Sequence, residues 1–277
     1  MIYVDVSVLM SVYFLEKPNN LYEALESMMT QSYRPKQIVI VRDGELTEEL
    51  DAVIDSFKVK YSGLIDIDIV SLDERVNLGL ALNEGLNKCN FNLVARMDSD
   101  DHSLPKRLEK QYKYFKNNEN VKVLGGLISE FSTNWRSTIS YRMVPLTSGE
   151  IFSFSRKRNP LNHMTVMFKK NFIVDEMNGY NDIPGFEDYE LWLRVLKKYP
   201  KSVCNLHEIL VAARVSSLQT RRGGLNYVRK NAYARTTFYK EGLISFHDFA
   251  ITTLGGTMVG IFPNNARDFL YKKILRK

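Results

Sequence analysis

Residues 93–108 read LVARMDSDDHSLPKRL. Leu93, Val94, Ala95 and Met97 have the character of a buried strand end, and Asp98, Ser99, Asp100 and Asp101 follow with no transition. Like charges so close repel one another, and a carboxylate beside apolar surroundings loses solvation. One reading is a solvated turn, with Ser103 as a helix cap and Pro105 in the first helical turn. The other places a cation there. In extended backbone, residues two apart face the same way, so Asp98 and Asp100 converge on one divalent ion while Asp101 turns elsewhere. Hard oxygen ligands suit Mg²⁺ or Mn²⁺, which commonly bridge to substrate phosphates.

Upstream of this stretch, strands and helices alternate. VSVLMSVYF (6–14) and QIVIV (37–41) are continuous apolar runs of the kind found in parallel strands covered on both faces. Between them, Leu21, Leu25, Met28 and Met29 make one helical stripe, and Thr47 stands as the N-cap of a second helix with Leu50, Val53, Ile54 and Phe57 on its apolar side. IDIDIV (65–70) alternates apolar and acidic, which predicts an edge strand with one wet face. The helix LGLALNEGLNKC comes next, then the strand ending at Met97. This order means βαβ units, an α/β fold and a mostly parallel central sheet flanked by helices. Ligands of such sheets bind beyond the carboxyl ends of the strands. Those ends carry Tyr13–Phe14, Arg42–Asp43–Gly44, Arg75–Asn77 and Asp98–Asp101. Farther on, VKVLGGLISEFS and HMTVMFKK read as strands, and EDYELWLRVLKKY as a helix that starts on an acidic pair. From about residue 214 the chain is basic and less periodic.

The 277 residues are 44% hydrophobic and 25% charged, which is ordinary globular composition with material for a sizeable core. The formal charge of +6 fits an anionic ligand or an anionic membrane surface as well as nucleic acid. The two cysteines, Cys89 and Cys204, are far apart, which suits a reducing compartment and excludes a zinc-ribbon site. The N-terminus lacks a basic leader, and FAITTLGGTMVGIF is short for a spanning helix. A cytoplasmic protein at the inner face of the membrane is expected.

The succession VSVLMSVYF, QSYRPKQIVIVRDG, RVNLGLALNEGL, ARMDSDD, LPKRL, NPLNHMTVMFKK and GFEDYELWLR resembles the family 2 glycosyltransferases of bacterial surface-polysaccharide synthesis over about residues 4–215. The resemblance implies a Rossmann-like GT-A fold and inverting transfer from a nucleotide-diphosphate sugar, commonly a UDP-sugar. It divides the chain into a transferase domain (1–215) and a C-terminal extension (216–277). Within the domain, 1–101 is the nucleotide-sugar half and 102–215 the acceptor half. It implies that Ser11, Tyr13 and Asp43 line the base pocket, where a carboxylate can accept from the imide N–H of uracil. Arg75 and Asn77 would touch the nucleotide or sugar; alternatively they form a surface ion pair and a helix cap. Asp98 would contact ribose and donor sugar and share the metal with Asp100. Arg107 either steadies the acidic cluster or is an exposed helix arginine.

Inverting transfer needs one base to take the acceptor hydroxyl's proton, on the face opposite the leaving group. Glu187 and Asp188 stand at a helix start, where plain capping is the structural alternative. By resemblance the pair holds the base, with Asp188 assigned to that role and Glu187 to the acceptor hydroxyl; the two could be exchanged. Asn159 and His163 border the acceptor pocket in related enzymes, and Trp192 reads as core. Residues 214–230 hold five basic and no acidic side chains, so Arg221 and Arg222 are candidates for closing over a diphosphate. Relatives often carry a His shortly after the Arg of this region, and here there is none. The last eleven residues, RDFLYKKILRK, form a basic amphipathic segment suited to an anionic membrane. The expected acceptor is a lipid-diphosphate-linked saccharide, with galactose or glucose the favoured hexose. A sugar-phosphate nucleotidyltransferase would open on a glycine-rich loop, and residues 6–14 contain no glycine. A non-enzymatic basic module would bind without the acidic residues, and no nucleic-acid motif is present.

Overall fold

The computed structural model describes residues 2–215 and 224–261. The apolar run that opens the chain becomes β1 (Ile2–Val12). Its side chains alternate between two cores: Val4, Val6, Val8, Met10 and Val12 enter one and Leu9 the other. β2 (Tyr33–Arg42), β3 (Asp66–Ser71) and β4 (Leu93–Asp98) join it in the parallel order β3-β2-β1-β4. β3 is the edge strand, as its alternation predicts.

Beyond β4 the sheet is mixed. The segment read as HMTVMFKK makes a short turn of 3₁₀-helix (His163–Thr165) and only then β8 (Met167–Lys169). β8 runs antiparallel between β4 and β6 (Val123–Phe131). β9 (Val203–Arg214) is parallel to β6. Two antiparallel additions complete the sheet: β5 (His102–Ser103) on β9, and β7 (Ser140–Arg142) on β6. Parallel pairing therefore holds across β1–β4 and for β6 beside β9.

The two faces are covered by different helices. α1 (Pro18–Met29), α2 (Glu48–Tyr61) and α4 (Arg107–Asn117) cover one, burying Leu21, Leu25, Leu50, Ile54, Phe57, Leu108 and Phe115. Thr47 caps α2 by accepting from the Leu50 N–H. α3 (Leu78–Lys88), α5 (Ser148–Ser155) and α6 (Glu187–Lys198) cover the other face with Leu82, Leu86, Ile151, Leu191, Trp192 and Leu196. Trp192 is fully buried there, as core.

The basic, less periodic region from residue 214 contains two further helices, α7 (Gly224–Lys240) and α8 (Phe246–Ile261). Ala234 and Phe238 of α7 pack on Tyr189 and Leu193 of α6 in a small third core. No described helix is long and apolar enough to cross a membrane.

Candidate active site

β4 alternates between the two cores, and that alternation builds the site. Ala95 and Met97 enter the core under α1, α2 and α4, while Val94 enters the one under α3 and α6. Arg96 and Asp98 share the face of Val94 and so point toward α3 and α6. They form an ion pair in which the Arg96 side chain is 4% exposed. Nε and one terminal nitrogen of Arg96 are buried without a partner.

At the end of β4, one carboxylate oxygen from each of Asp98, Asp100 and Asp101 lies within 4.8 Å of the others. Asp101 belongs to this cluster, whereas the sequence reading turned it away. It is 3% exposed: Oδ1 accepts from the Arg214 N–H at 2.7 Å, and Oδ2 is buried with no partner. Burial, with Asp100 and Asp98 beside it, holds its carboxyl well above the ordinary range. Three convergent carboxylates with an orphaned buried oxygen fit a hard divalent cation.

The helix-cap reading of the next residues does not hold. Ser103 lies in β5, paired with Val211, and Pro105 precedes a helix that begins only at Arg107. The buried Ser103 backbone is satisfied from both sides: its N–H donates to Ser27 Oγ at 3.0 Å, and the neighbouring Leu104 N–H donates to the Leu210 carbonyl of β9 at 2.9 Å. Arg107 is not an exposed helix arginine. It is 1% exposed and donates to the Arg96 carbonyl at 2.7 Å and to Met97 Sδ at 3.2 Å. It braces the strand under the acidic turn without bonding to the acids.

The other strand ends converge on the same rim. Ser11 is the register partner of Asp98 across β1 and β4. Asp43, at the end of β2, is buried, and its Oδ1 accepts from the Val76 N–H at 2.8 Å. Burial raises its pKa, against the opposing pull of that N–H and of Arg75. Gly44 has φ +79°, and a Cβ there would meet the Arg75 backbone nitrogen at 2.9 Å, so glycine lets the 75–76 segment close on Asp43. Arg75 lies over the Tyr13 ring at 4.9 Å, which joins these two residues into one wall. Asn77 occupies the cap position of α3 but its side chain does not cap. It donates to Asp182 at 2.6 Å and so ties α3 to the loop before α6.

That loop delivers the acidic pair. Gly79, in the first turn of α3, has no Cβ where one would sit 3.0 Å from the Cβ of Glu187 and 3.1 Å from that of Tyr180. The absent side chain lets α6 start against α3. Glu187 is 7% exposed and its Oε2 is buried without a partner. Burial first, and the Asp188 charge second, push its pKa up to about 7. Asp188 is half-buried. Its Oδ2 accepts from Asn159 at 2.6 Å and its Oδ1 from the Tyr189 N–H at 2.8 Å. Burial raises its pKa too, but both donors and the Arg96 charge counter that rise. Asp188 thus has side-chain and backbone donors that favour its charged form, whereas Glu187 holds its proton to near neutrality.

Of the acceptor-side candidates, Asn159 touches the acidic pair directly. His163 sits deeper, 8% exposed, with Nε2 at 2.9 Å from the Tyr180 hydroxyl. Burial and Arg96 hold its pKa well below the ordinary value, so the ring is neutral. Arg221 and Arg222 lie outside the described residues. Sequence reasoning passed over Arg96, although a lone cation between Ala95 and Met97 in an apolar strand is itself a signal.

Arg96 links the two sets of carboxylates: its charge bears on Asp98, Asp101, Glu187 and Asp188. The profile of the family described as "Glycosyl transferase family 2" matches residues 7–180. The chain belongs to glycosyltransferase family 2. Within the family it is similar to UDP-Gal:alpha-D-GlcNAc-diphosphoundecaprenol beta-1,3-galactosyltransferase of Escherichia coli, with 36% identity over 272 residues. That similarity covers 98% of this chain and 96% of that protein. It is also 36% identical over 268 residues to the amylovoran biosynthesis glycosyltransferase AmsE of Erwinia amylovora, covering 96% and 98%. Among solved structures it is similar to the mannosyltransferase PcManGT from Pyrobaculum calidifontis, determined with GDP-Man and Mn²⁺. The TM-score is 0.64 at 14% identity, over 91% of this chain and 69% of that one. That likeness shows the GT-A fold alone.

Proposed function

We propose that this glycosyltransferase moves a hexose, galactose or glucose, from a UDP-sugar to a lipid-diphosphate-linked saccharide, with inversion, in surface-polysaccharide assembly. The observation that carries the chemistry is a cation-fitting acidic turn and a partly buried acidic pair that share the charge of Arg96. The donor and acceptor classes rest on the activity named for the Escherichia coli relative, which this chain matches along nearly its whole length.

In this reading Asp98 and Asp100 hold a divalent metal, Mn²⁺ or Mg²⁺, which when bound neutralises charge on the leaving diphosphate. Ser11, Tyr13, Asp43, Arg75 and Asn77 form the nucleotide wall. Asp188, fixed by Asn159, takes the proton of the acceptor hydroxyl as the hydroxyl oxygen bonds to the sugar's anomeric carbon. The bond from that carbon to the diphosphate breaks, and its electron pair leaves with UDP. Glu187, protonated to about pH 7, can donate a hydrogen bond to an acceptor oxygen. By their sequence Arg221 and Arg222 are the candidate contacts for the diphosphate, and His163 supports the pocket from behind Tyr180.

Residues 1–215 form the transferase domain and 216–277 an extension that sets the protein against the inner face of the membrane. Two features support this: exposed Ile251, Leu254 and Met258 on α8, and the basic sequence of residues 267–277.

The test is incubation with UDP-hexoses, Mn²⁺ and a GlcNAc-diphosphate-lipid analogue, with the anomeric configuration of the product read by NMR. A β-linked product from an α-linked donor is expected. Retention of configuration, or no transfer from any UDP-hexose, would count against the proposal.

A further inference from the structure

Arg214 is the last residue of β9, and its contacts gather three distant segments onto the acidic turn. Its backbone N–H donates to Asp101 Oδ1 at 2.7 Å, and its Nε donates to the Asp100 carbonyl at 3.0 Å. One terminal nitrogen reaches the Ser132 carbonyl at 3.3 Å and, more weakly, that of Thr133 at 3.5 Å. The other pairs with Glu23 of α1 at 2.9 Å. The guanidinium lies 4.5 Å from the Phe131 ring centroid, and the side chain is 9% exposed. The short β5 is part of the same arrangement, because pairing of His102 with Ala212 seats the turn against the end of β9.

We infer that Arg214 is the positioning residue of the donor metal site. It touches neither reacting atom. Its guanidinium fixes the backbone from which Asp100 projects, while its backbone N–H, which the Lys and Met variants keep, holds one oxygen of Asp101, so three mutually repelling carboxylates stay within 4.8 Å before a cation arrives. A planar fork with several donors can bridge the Asp100 and Ser132 carbonyls and Glu23 at once, while a lysine ammonium can reach only part of that set. The Glu23 pairing offsets the guanidinium charge, so the cluster keeps its attraction for a divalent ion.

This inference rests on the metal-dependent reading above, and the experiment separates the two. Mn²⁺ binding is followed by the electron paramagnetic resonance of free Mn²⁺, with UDP present, for the full chain and for Arg214→Lys, Arg214→Met and Glu23→Gln. Thermal melts check folding. The inference expects Mn²⁺ affinity to fall about tenfold in Arg214→Lys and about a hundredfold in Arg214→Met, and less than threefold in Glu23→Gln. Transfer by Arg214→Lys should return toward the wild-type kcat as Mn²⁺ is raised. If a folded Arg214→Met binds Mn²⁺ like wild type, or if excess Mn²⁺ fails to restore kcat in Arg214→Lys, the positioning role is wrong while the metal reading stands. If the wild-type chain binds no Mn²⁺, both fall.

Discussion

Glu187→Gln should make the protein more stable, and more so as pH rises. Glu187 is 7% exposed with an unpartnered Oε2, and its carboxyl keeps its proton to about pH 7 against an ordinary 4.5. A carboxyl whose pKa is raised on folding binds its proton more tightly in the folded state. Its contribution is fully present below pH 4.5 and is lost as pH climbs through about 7. Integrated over that window, ionisation removes about 1 kcal/mol by pH 5 and about 3 kcal/mol by pH 8. Glutamine keeps the volume and cannot ionise, so the variant's advantage should grow by roughly 2 kcal/mol between those pH values. Any cost of burying the amide is the same at both and cancels. Urea unfolding of the two proteins at pH 5 and pH 8 measures the difference directly. Equal stability differences at the two pH values would refute the assignment of a buried, late-ionising Glu187.

Two more variants probe how the acidic pair is held. Asn159→Ala removes a donor that lowers the pKa of Asp188, so the acidic limb of the kcat profile should move to higher pH. An unmoved limb would deny Asp188 the role of base. Gly79→Ala places a Cβ 3.0 Å from that of Glu187, tighter than ordinary contact, so the start of α6 must give way. The expected outcome is a fall in kcat of about tenfold with UDP affinity within threefold, measured by steady-state kinetics and calorimetry.

Much of the fold is legible in the sequence because its parallel strands are covered on both faces and so read as unbroken apolar runs. The edge position of β3 follows from a single alternation of Ile and Asp. The acidic turn and the pair at 187–188 are visible for the same reason: carboxylates next to apolar runs need an explanation. What escapes is whatever depends on a distant partner. Asp101 has no account until Arg214, 113 residues away, is seen to donate to it. Ser103 and Pro105 look like a helix start by local chemistry, but the backbone of β9 claims Ser103 for the sheet. Asn77 has a capping residue's identity and position, and a partner in Asp182 outcompetes the cap. His163 sits beside the acceptor segment in sequence, yet it is turned inward against Tyr180.

The central claim is a division of labour, in which Asp100 serves the donor and Asp188 serves the acceptor. It is tested most directly by Asp188→Ala, with UDP and Mn²⁺ binding measured by calorimetry beside the rate of transfer to the lipid-diphosphate acceptor. UDP affinity should stay within about threefold of wild type while transfer falls on the order of a thousandfold, the range of a lost general base. Transfer within tenfold of wild type, or a parallel loss of UDP binding, would contradict it.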